Sequence, residues 1–287
     1  MIDKIGESNL THPALEVIQR QVKAALAEDL GTGDLTASLI NKTETSTATL
    51  VCRENAVLAG KSWFEQVFLA LDSNTVFQWD YRDGDDLAAG KTVCTLGGLT
   101  VALLSAERTA LNFLQTLSGT ATLARRYANL VAGRSVQIRD TRKTIPGLRL
   151  AQKYAARCGG ITNHRVGLFD GILIKENHIA AAGSIGKAVT RLRELFPKKP
   201  IEVEVESLDE VHEAIRFGAD MILLDNFDLP AIKEAVQIIE KRALVEVSGG
   251  IVDEELEELA KTGADYISVG AITKNIKAID FSIRFAS

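Results

Sequence analysis

From about Thr100 onward, short β-rich runs alternate with stretches in which apolar residues recur every three or four positions. The spacing of Leu208, Val211 and Ile215 is typical of an amphipathic helix. We predict six strands, over residues 136–140, 171–175, 201–206, 221–225, 244–248 and 266–270. Because the later strand-helix units repeat at intervals of roughly twenty residues, the pattern predicts an α/β fold with a closed barrel of parallel strands.

The first hundred or so residues have a different pattern. We predict a helix over residues 15–27, followed by β-rich segments over residues 47–58, 75–81 and 91–96. Turn signals such as Asp83-Gly84-Asp85 separate these segments. The pattern indicates an α+β open-sandwich domain, distinct from the barrel.

A helix from Ala102 through Leu117 is expected to join the two parts. The predicted organisation has three parts: an N-terminal α+β domain over residues 1–112, an α/β barrel over residues 113–277, and a terminal segment over residues 278–287 that packs back on the first domain.

The formal charge of −5 disfavours nucleic acid or a membrane surface as the main partner. No run of about 18 apolar residues exists, and Met1 to Leu10 lacks the basic and apolar blocks of a signal peptide, so we expect a cytoplasmic protein. Cys52, Cys94 and Cys158 are far apart and form no CxxC pair. We therefore expect reduced thiols rather than a disulfide framework or a zinc site.

Five basic residues form a candidate cluster: Arg142 and Lys143 follow the first predicted strand, Lys175 ends the second, and His164 and Arg165 lie between the two strands. The carboxyl ends of parallel barrel strands converge on one mouth, so these side chains are expected to meet there. Arginine binds a carboxylate or phosphate with two parallel hydrogen bonds, and lysine supplies a compact charge. The cluster predicts a small polyanionic substrate. For Arg139, inside a strand, and Arg149, at a helix start, we expect structural roles.

Carboxylates and small residues occupy the later strand ends. Alternation places Glu202, Glu204 and Glu206 on one face of a strand, and Asp225 ends an apolar strand. Such carboxylates suit sugar hydroxyls, Mg²⁺, a developing cation or simple pairing with lysine. The loops Ser248-Gly249-Gly250 and Gly270 to Thr273 suit a phosphate, because small residues let backbone N–H groups approach it.

Longer motifs carry a family resemblance. They are DTRKTIPGLR (140–149), NHR (163–165), LIKENH (173–178), EVEVE (202–206), LDN (224–226), VSGG (247–250), EDLGTGDLT (28–36) and ERTALN (107–112). Together these ordered motifs resemble the quinolinate phosphoribosyltransferases over nearly the whole chain. The resemblance implies a pentosyltransferase that moves phosphoribose from phosphoribosyl pyrophosphate (PRPP) to quinolinate, giving nicotinate mononucleotide, pyrophosphate and carbon dioxide for NAD biosynthesis. It also implies a requirement for Mg²⁺.

The resemblance also implies residue roles. The two carboxylates of quinolinate would be held by Arg142, His164, Arg165 and Lys175. Lys143 would face the pyrophosphate, and Arg108 would enter the site from the neighbouring subunit of a homodimer. Glu204 and Asp225 would bind the ribose hydroxyls directly or through Mg²⁺. The 5-phosphate would be bound by Ser248, Gly249, Gly250 and Gly270. The expected catalytic residues are Lys143, Lys175, Glu204 and Asp225.

These residue types suit the implied chemistry. Fixed carboxylates can stabilise the oxocarbenium-like centre formed when pyrophosphate leaves the ribose, and Lys175 or water could protonate the ring after decarboxylation. Four alternatives remain open: a sibling transferase that uses nicotinate, a paralogue found beside molybdate transport that acts on another anionic substrate, an aldolase-type barrel with Lys175 as a Schiff-base nucleophile, and a nonenzymatic phosphosugar sensor.

Overall fold

The computed structural model describes residues 12–251 and 253–285 of the 287-residue chain. Within that part the chain divides into two compact units. The parallel-sheet unit comprises residues 126–143 and 161–271, and the antiparallel-sheet unit comprises residues 12–125, 144–160 and 272–285. Residues 1–11 of the predicted first domain, the signal-peptide assessment of Met1 to Leu10, and residues 286–287 of the predicted returning segment lie outside the described residues.

The parallel-sheet unit contains the six strands that the hydrophobic pattern predicts. They are β6 (Gln137–Arg139), β7 (Ile172–Ile174), β8 (Ile201–Val205), β9 (Met221–Asp225), β10 (Leu244–Ser248) and β11 (Tyr266–Ser268). All pair in parallel, in the order β6-β11-β10-β9-β8-β7. The four buried residues Met221 to Leu224 that begin β9 are typical of a parallel strand covered on both faces. The predicted α/β class is confirmed.

The two strands at the ends of this order, β6 and β7, do not pair with each other in the described part of the chain. An isolated parallel bridge instead joins Arg139 of β6 to Thr162. This bridge brings the segment that contains His164 and Arg165 alongside the carboxyl end of β6. The gap between the unpaired strands β6 and β7 therefore lies beside the basic cluster that the sequence predicts.

Helices alternate with these strands: α5 (Glu176–Ala182), α6 (Ile185–Leu195), α7 (Leu208–Arg216), α8 (Leu229–Ile239), α9 (Asp253–Leu259) and α10 (Ala271–Lys274). Side chains at three of the helix starts accept hydrogen bonds from backbone N–H groups that the helix itself leaves unpaired. Ser184 accepts from Lys187 at 3.1 Å, and Asp228 accepts from Ala231 at 2.9 Å. Ser207 caps α7 in the same way. These caps set the helix starts and so the loops after the strands.

The antiparallel-sheet unit contains a four-stranded sheet and a two-stranded ribbon. Its strands are β1 (Thr45–Cys52), β2 (Ala56–Val57), β3 (Val76–Trp79), β4 (Asp86–Leu87), β5 (Thr92–Leu99) and β12 (Phe281–Phe285). The sheet order is β12-β1-β5-β3, and β2 pairs with β4. The terminal strand β12 therefore adds an edge to the sheet formed by the first hundred residues.

Helices complete this unit: α1 (Leu15–Leu30), a 3₁₀ turn (Thr36–Leu39), α2 (Lys61–Leu69) and α4 (Arg149–Cys158). The long helix α3 (Thr100–Leu130) begins here and passes the division between units after Arg125. Trp63, Phe64 and Phe68 of α2 are fully buried at the centre of the core. None of the described helices is long and apolar enough to cross a membrane.

Several element bounds differ from the prediction, and two of the differences are large. The segment expected as one strand over 47–58 is broken into β1 and β2, and the helix expected to end at Leu117 continues to Leu130. Helix α3 continues because its apolar stripe does: Ala121, Ala124 and Tyr127 are buried at three-residue spacing. The segment was therefore correctly predicted to be helical, but the predicted helix was too short.

Candidate active site

A pocket of about 430 Å³ opens in the parallel-sheet unit, where residues at or just after strand ends line it. It is lined by Thr141, Arg142, Lys143, His164, Arg165, Leu173, Lys175, Glu204, Leu223, Asp225, Glu246, Ser248 and Ser268. The structure thus brings together eight predicted site residues: Arg142, Lys143, His164, Arg165, Lys175, Glu204, Asp225 and Ser248. They come from five different strands or their following loops, as expected for an active site built on parallel strands.

Four arginine and lysine side chains share this pocket. Arg142 and Lys143 follow β6, Lys175 follows β7, and the Arg165 guanidinium donates to the carbonyl of Gly171 at 3.1 Å. Burial lowers the pKa of Arg165, and the nearby charge of Arg142 lowers it further. Like charges are held close together here, so an anion with more than one negative charge fits the pocket better than a neutral molecule.

Two carboxylates face the same space. Glu204 of β8 forms an ion pair with Lys175, which realises the lysine pairing that the sequence had left open. Asp225 ends the neighbouring strand β9 and accepts a hydrogen bond from the side chain of Asn226 at 2.9 Å. Both carboxylates line the pocket, so it presents anionic and cationic walls to a ligand.

Contacts with neighbouring residues hold both the backbone and the ring of His164. Its backbone N–H donates to Asp140 at 2.9 Å, and its Nδ1 accepts from the backbone N–H of Arg165 at 2.8 Å. Its Nε2 lies 3.1 Å from a carboxylate oxygen of Glu202 and 3.5 Å from one of Glu246. Burial lowers the pKa of His164, but the two carboxylates raise it more, so the net shift is upward. Because Nδ1 accepts, the proton of the neutral ring belongs on Nε2.

Glu246 was not among the predicted site residues. It lies fully buried in β10, where burial and the charge of Glu202 raise its pKa, against the opposing effect of His164 and Arg139. Its signal in the sequence is a glutamate between valines, Val245-Glu246-Val247, the same alternation that drew attention to Glu202 and Glu204. A charged residue in such a strand indicates a buried partner.

That partner is Arg139. Its Nη1 lies 2.9 Å from Glu246, and side-chain exposures of 1% and 0% make this a fully buried ion pair. The structural role expected for Arg139 is therefore correct. Arg149 begins α4, and its Nε donates to the hydroxyl of Thr144 at 3.1 Å, a local contact of the kind expected at a helix start.

The glycines of the predicted phosphate loops do not line the pocket, and only Ser248 does. Gly249 has a φ of +104°, and a Cβ there would lie 2.3 Å from Oδ1 of Asn226. A Cβ on Gly270 would lie 3.1 Å from Cδ of Lys143. These glycines therefore leave room for Asn226 and Lys143 beside the strand ends.

Arg108 occupies an exposed position on α3 and is not among the residues that line the pocket. Its predicted entry into a neighbouring subunit's site stays a prediction. Within the same antiparallel-sheet unit, a second cavity of about 490 Å³ lies between α1 and α3, with Glu28, Asp29 and Thr109 in its wall.

Comparisons with known proteins cover most of the chain. The family model for the C-terminal domain of quinolinate phosphoribosyl transferase matches residues 120–284, and the model for its N-terminal domain matches residues 34–118. A Bacillus subtilis relative named probable nicotinate-nucleotide pyrophosphorylase, carboxylating, is 41% identical over 257 residues, 89% of each chain. The carboxylating enzyme of the same name from Mycobacterium leprae is 41% identical over 274 residues, 91% of this chain and 95% of that one.

A solved structure is also similar. The nicotinate-nucleotide pyrophosphorylase from Francisella tularensis matches with a TM-score of 0.94 and 46% identity, over 97% of this chain and 99% of that one. Sequence and structure therefore agree over both units of the molecule.

We predict that Asp140→Ala destabilises the protein by about 2 kcal/mol or more, because buried donors would lose their acceptor. The buried carboxylate of Asp140 accepts from the side chain of Asn163 at 2.6 Å and from the backbone of His164 at 2.9 Å. Thermal denaturation measures the loss. Asp209→Ala, at an exposed position of α7, is the matched control and is expected to change stability far less. An unchanged Tm in Asp140→Ala would show that the loop does not depend on this carboxylate.

Proposed function

The chain belongs to the quinolinate phosphoribosyltransferase family, and we propose that it transfers phosphoribose from PRPP to quinolinate. The products are nicotinate mononucleotide, pyrophosphate and carbon dioxide, in the route to NAD. One observation carries the proposal: a single pocket combines four cations that suit a dicarboxylate with two carboxylates that suit a ribose. The names of the two bacterial relatives, both nicotinate-nucleotide pyrophosphorylases of the carboxylating kind, support the same reaction.

The cations are proposed to bind the acceptor. Arg142 and Arg165 offer planar groups for two-bond contacts with carboxylates, and Lys175 adds a point charge at the same wall. Quinolinate carries two adjacent carboxylates, so it uses more of these cations than a monocarboxylate such as nicotinate would. This difference supports quinolinate over nicotinate as the acceptor.

The acidic wall is proposed to bind the donor. Glu204 of β8 lies opposite Leu223 of β9, two residues before Asp225, and both carboxylates line the pocket. There they can hold the ribose hydroxyls and stabilise positive charge at the anomeric carbon. Lys143 is proposed to face the pyrophosphate. The 5-phosphate is proposed to lie against Ser248 and the backbone around Gly249, Gly250 and Gly270.

Mg²⁺ is the proposed cofactor, held mainly through PRPP. The donor set fits this ion, because Glu204 and Asp225 supply hard oxygen ligands in the pocket that would also hold the pyrophosphate. When bound, Mg²⁺ would neutralise charge on the pyrophosphate leaving group.

The proposed reaction needs no protein nucleophile. The pyridine nitrogen forms a bond to the anomeric carbon as the bond to the pyrophosphate oxygen breaks, and holding both substrates in line is the main contribution of the pocket. The bond between C2 and its carboxylate then breaks, carbon dioxide departs, and the positive charge of the alkylated nitrogen stabilises the carbanion left at C2. A proton from Lys175 or from water then binds at C2 and completes the product.

The other functions left open by the sequence receive less support. An aldolase-type barrel would use Lys175 as an amine nucleophile, and borohydride trapping with a carbonyl substrate tests this. A phosphosugar sensor would bind PRPP without releasing pyrophosphate. Neither function uses both the four cations and the two carboxylates of the pocket. A paralogue with a different anionic acceptor is distinguished by its product.

We propose a homodimer in which Arg108 of one subunit completes the pocket of the other. The exposed position of Arg108 on α3 is consistent with a role outside its own pocket. A cytoplasmic location, as expected from the sequence, is part of the same proposal.

We expect the purified protein, mixed with quinolinate, PRPP and Mg²⁺, to form nicotinate mononucleotide together with carbon dioxide. Mass spectrometry detects the nucleotide, and the label released from carboxyl-labelled quinolinate measures the carbon dioxide formed. Nicotinate is the control acceptor and should give little product, because it engages fewer cations. Product from nicotinate at the rate of quinolinate, or no product from quinolinate, would contradict the proposal.

We expect Arg142→Ala to raise the quinolinate KM at least about tenfold, because a charge-assisted contact to the acceptor is lost. Asp225→Asn should instead lower kcat about tenfold or more with a smaller change in quinolinate KM, because charge stabilisation matters most in the transition state. Steady-state kinetics separate the two. Arg191→Ala, an exposed arginine of α6, is the control and should match the wild type. Unchanged quinolinate kinetics in Arg142→Ala would remove it from the acceptor site.

Mixing two variants that are each impaired at low quinolinate concentration tests the shared site, with activity measured at that concentration. If Arg108 serves the partner's pocket, Arg108→Ala and Arg142→Ala subunits can form mixed dimers with one intact site each. Subunit exchange of equal amounts should then restore about a quarter of wild-type activity, since half of the dimers are mixed. No recovery despite mixed dimers, detected with tagged subunits, would place Arg108 in its own chain's site or outside the mechanism.

A further inference from the structure

We propose that Glu246 is a positioning residue for the acceptor: with Arg139 it holds the His164 ring, and through that ring the backbone of Arg165, in the orientation that binds a substrate carboxylate. The inference rests on the proposed function, because it concerns the same dicarboxylate. No step of the proposed chemistry itself uses Glu246 or Arg139.

Glu246 is fixed from two sides. One carboxylate oxygen lies 2.9 Å from Arg139 of β6, and the other accepts a hydrogen bond from the hydroxyl of Ser268 in β11. Arg139 in turn lies over the ring of Tyr266, 3.2 Å from its centroid. The carboxylate is therefore tied to two other strands, β6 and β11, and has little freedom to turn.

The next link is His164. Its Nε2 faces the carboxylates of Glu202, at 3.1 Å, and Glu246, at 3.5 Å, while its Nδ1 accepts from the backbone N–H of Arg165. Both ring nitrogens thus contact the protein. The ring connects the buried carboxylates to the Arg165 backbone, and this connection gives His164 a role beyond lining the pocket.

The last link is the Arg165 side chain. Its backbone is held by His164, and its guanidinium is held by the carbonyl of Gly171 at 3.1 Å. Arg165 shares the pocket with Arg142, whose charge repels it, so its position needs such restraint. Small errors in the placement of a binding group reduce binding and rate steeply.

A metal site is the competing interpretation of this cluster. One ligand atom from each of His164, Glu202 and Glu246 lies within 4.8 Å of the others. Both oxygens of Glu246, however, already contact Arg139 and Ser268. The Arg139 guanidinium also places a positive charge 2.9 Å from Glu246, one of the three possible ligands, which disfavours a second cation there. The contacts therefore favour an ion pair of Glu246 with Arg139 that positions His164, rather than a metal site.

Two variants test the proposal. Glu246→Gln keeps the length of the side chain and removes its charge, and we expect quinolinate KM to rise at least about tenfold while PRPP KM changes less than about twofold. The variant leaves Arg139 buried without its ionised partner, which can prevent folding. The second variant therefore replaces both charges, as Arg139→Met with Glu246→Leu. Apolar replacement of a buried ion pair commonly preserves stability, and we expect a folded protein with the same rise in quinolinate KM.

Asp220→Asn is the control for stability alone. Asp220 pairs with Arg193 at 2.6 Å and accepts from the backbone of Ile201 at 2.7 Å, and it is not among the residues that line the pocket. It should lower Tm without changing quinolinate KM. A wild-type quinolinate KM in the folded double variant, an equal rise in both KM values, or loss of folding in both Glu246 variants would overturn the inference. If the wild-type protein forms no nicotinate mononucleotide, the proposed function itself fails.

Discussion

Arg139 and Glu246 carry opposite charges inside the parallel sheet, where water cannot solvate either of them. Burial of an ionised group costs free energy unless a partner and further hydrogen bonds compensate for it. Here the compensation comes from each other, from the hydroxyl of Ser268 and from the ring of Tyr266. A pair of this kind restricts the sheet to arrangements in which all these groups meet. The pocket depends on that arrangement, because His164 and Arg165 are placed by contacts that begin at Glu246.

The pocket combines side chains of both charges. Arg142, Arg165 and Lys175 are basic, Glu204 and Asp225 are acidic, and the ion pair of Lys175 with Glu204 joins the two sets. A pyridine dicarboxylate and a phosphoribosyl donor need these opposite environments at adjacent positions. The same combination accounts for a reaction without a protein nucleophile, since orientation and charge stabilisation are the effects such side chains provide.

The strands of the parallel sheet could be predicted well from the sequence, because a parallel strand appears there as an apolar run with a polar residue at its end. Asp225 after Leu223 and Leu224 is an example, and Lys175 after β7 is another. Glu246 was missed because the residue that explains it, Arg139, lies 107 positions away, and one chain's pattern does not reveal such a pairing. The role of Gly249 could also not be predicted from the sequence pattern, because its positive φ and its close approach to Asn226 depend on how two loops fold together. The role proposed for Arg108 depends on a second subunit, which no single sequence describes.

Calorimetric titration of wild-type protein with quinolinate and with nicotinate tests most directly whether the pocket is built for two carboxylates on one ring. Each charge-assisted contact that only the second carboxylate can make favours quinolinate, and a tenfold ratio of Kd corresponds to about 1.4 kcal/mol. We predict a quinolinate Kd at least about tenfold below that of nicotinate, with the difference shrinking as salt is added. Equal Kd values for the two acids at low salt would contradict it.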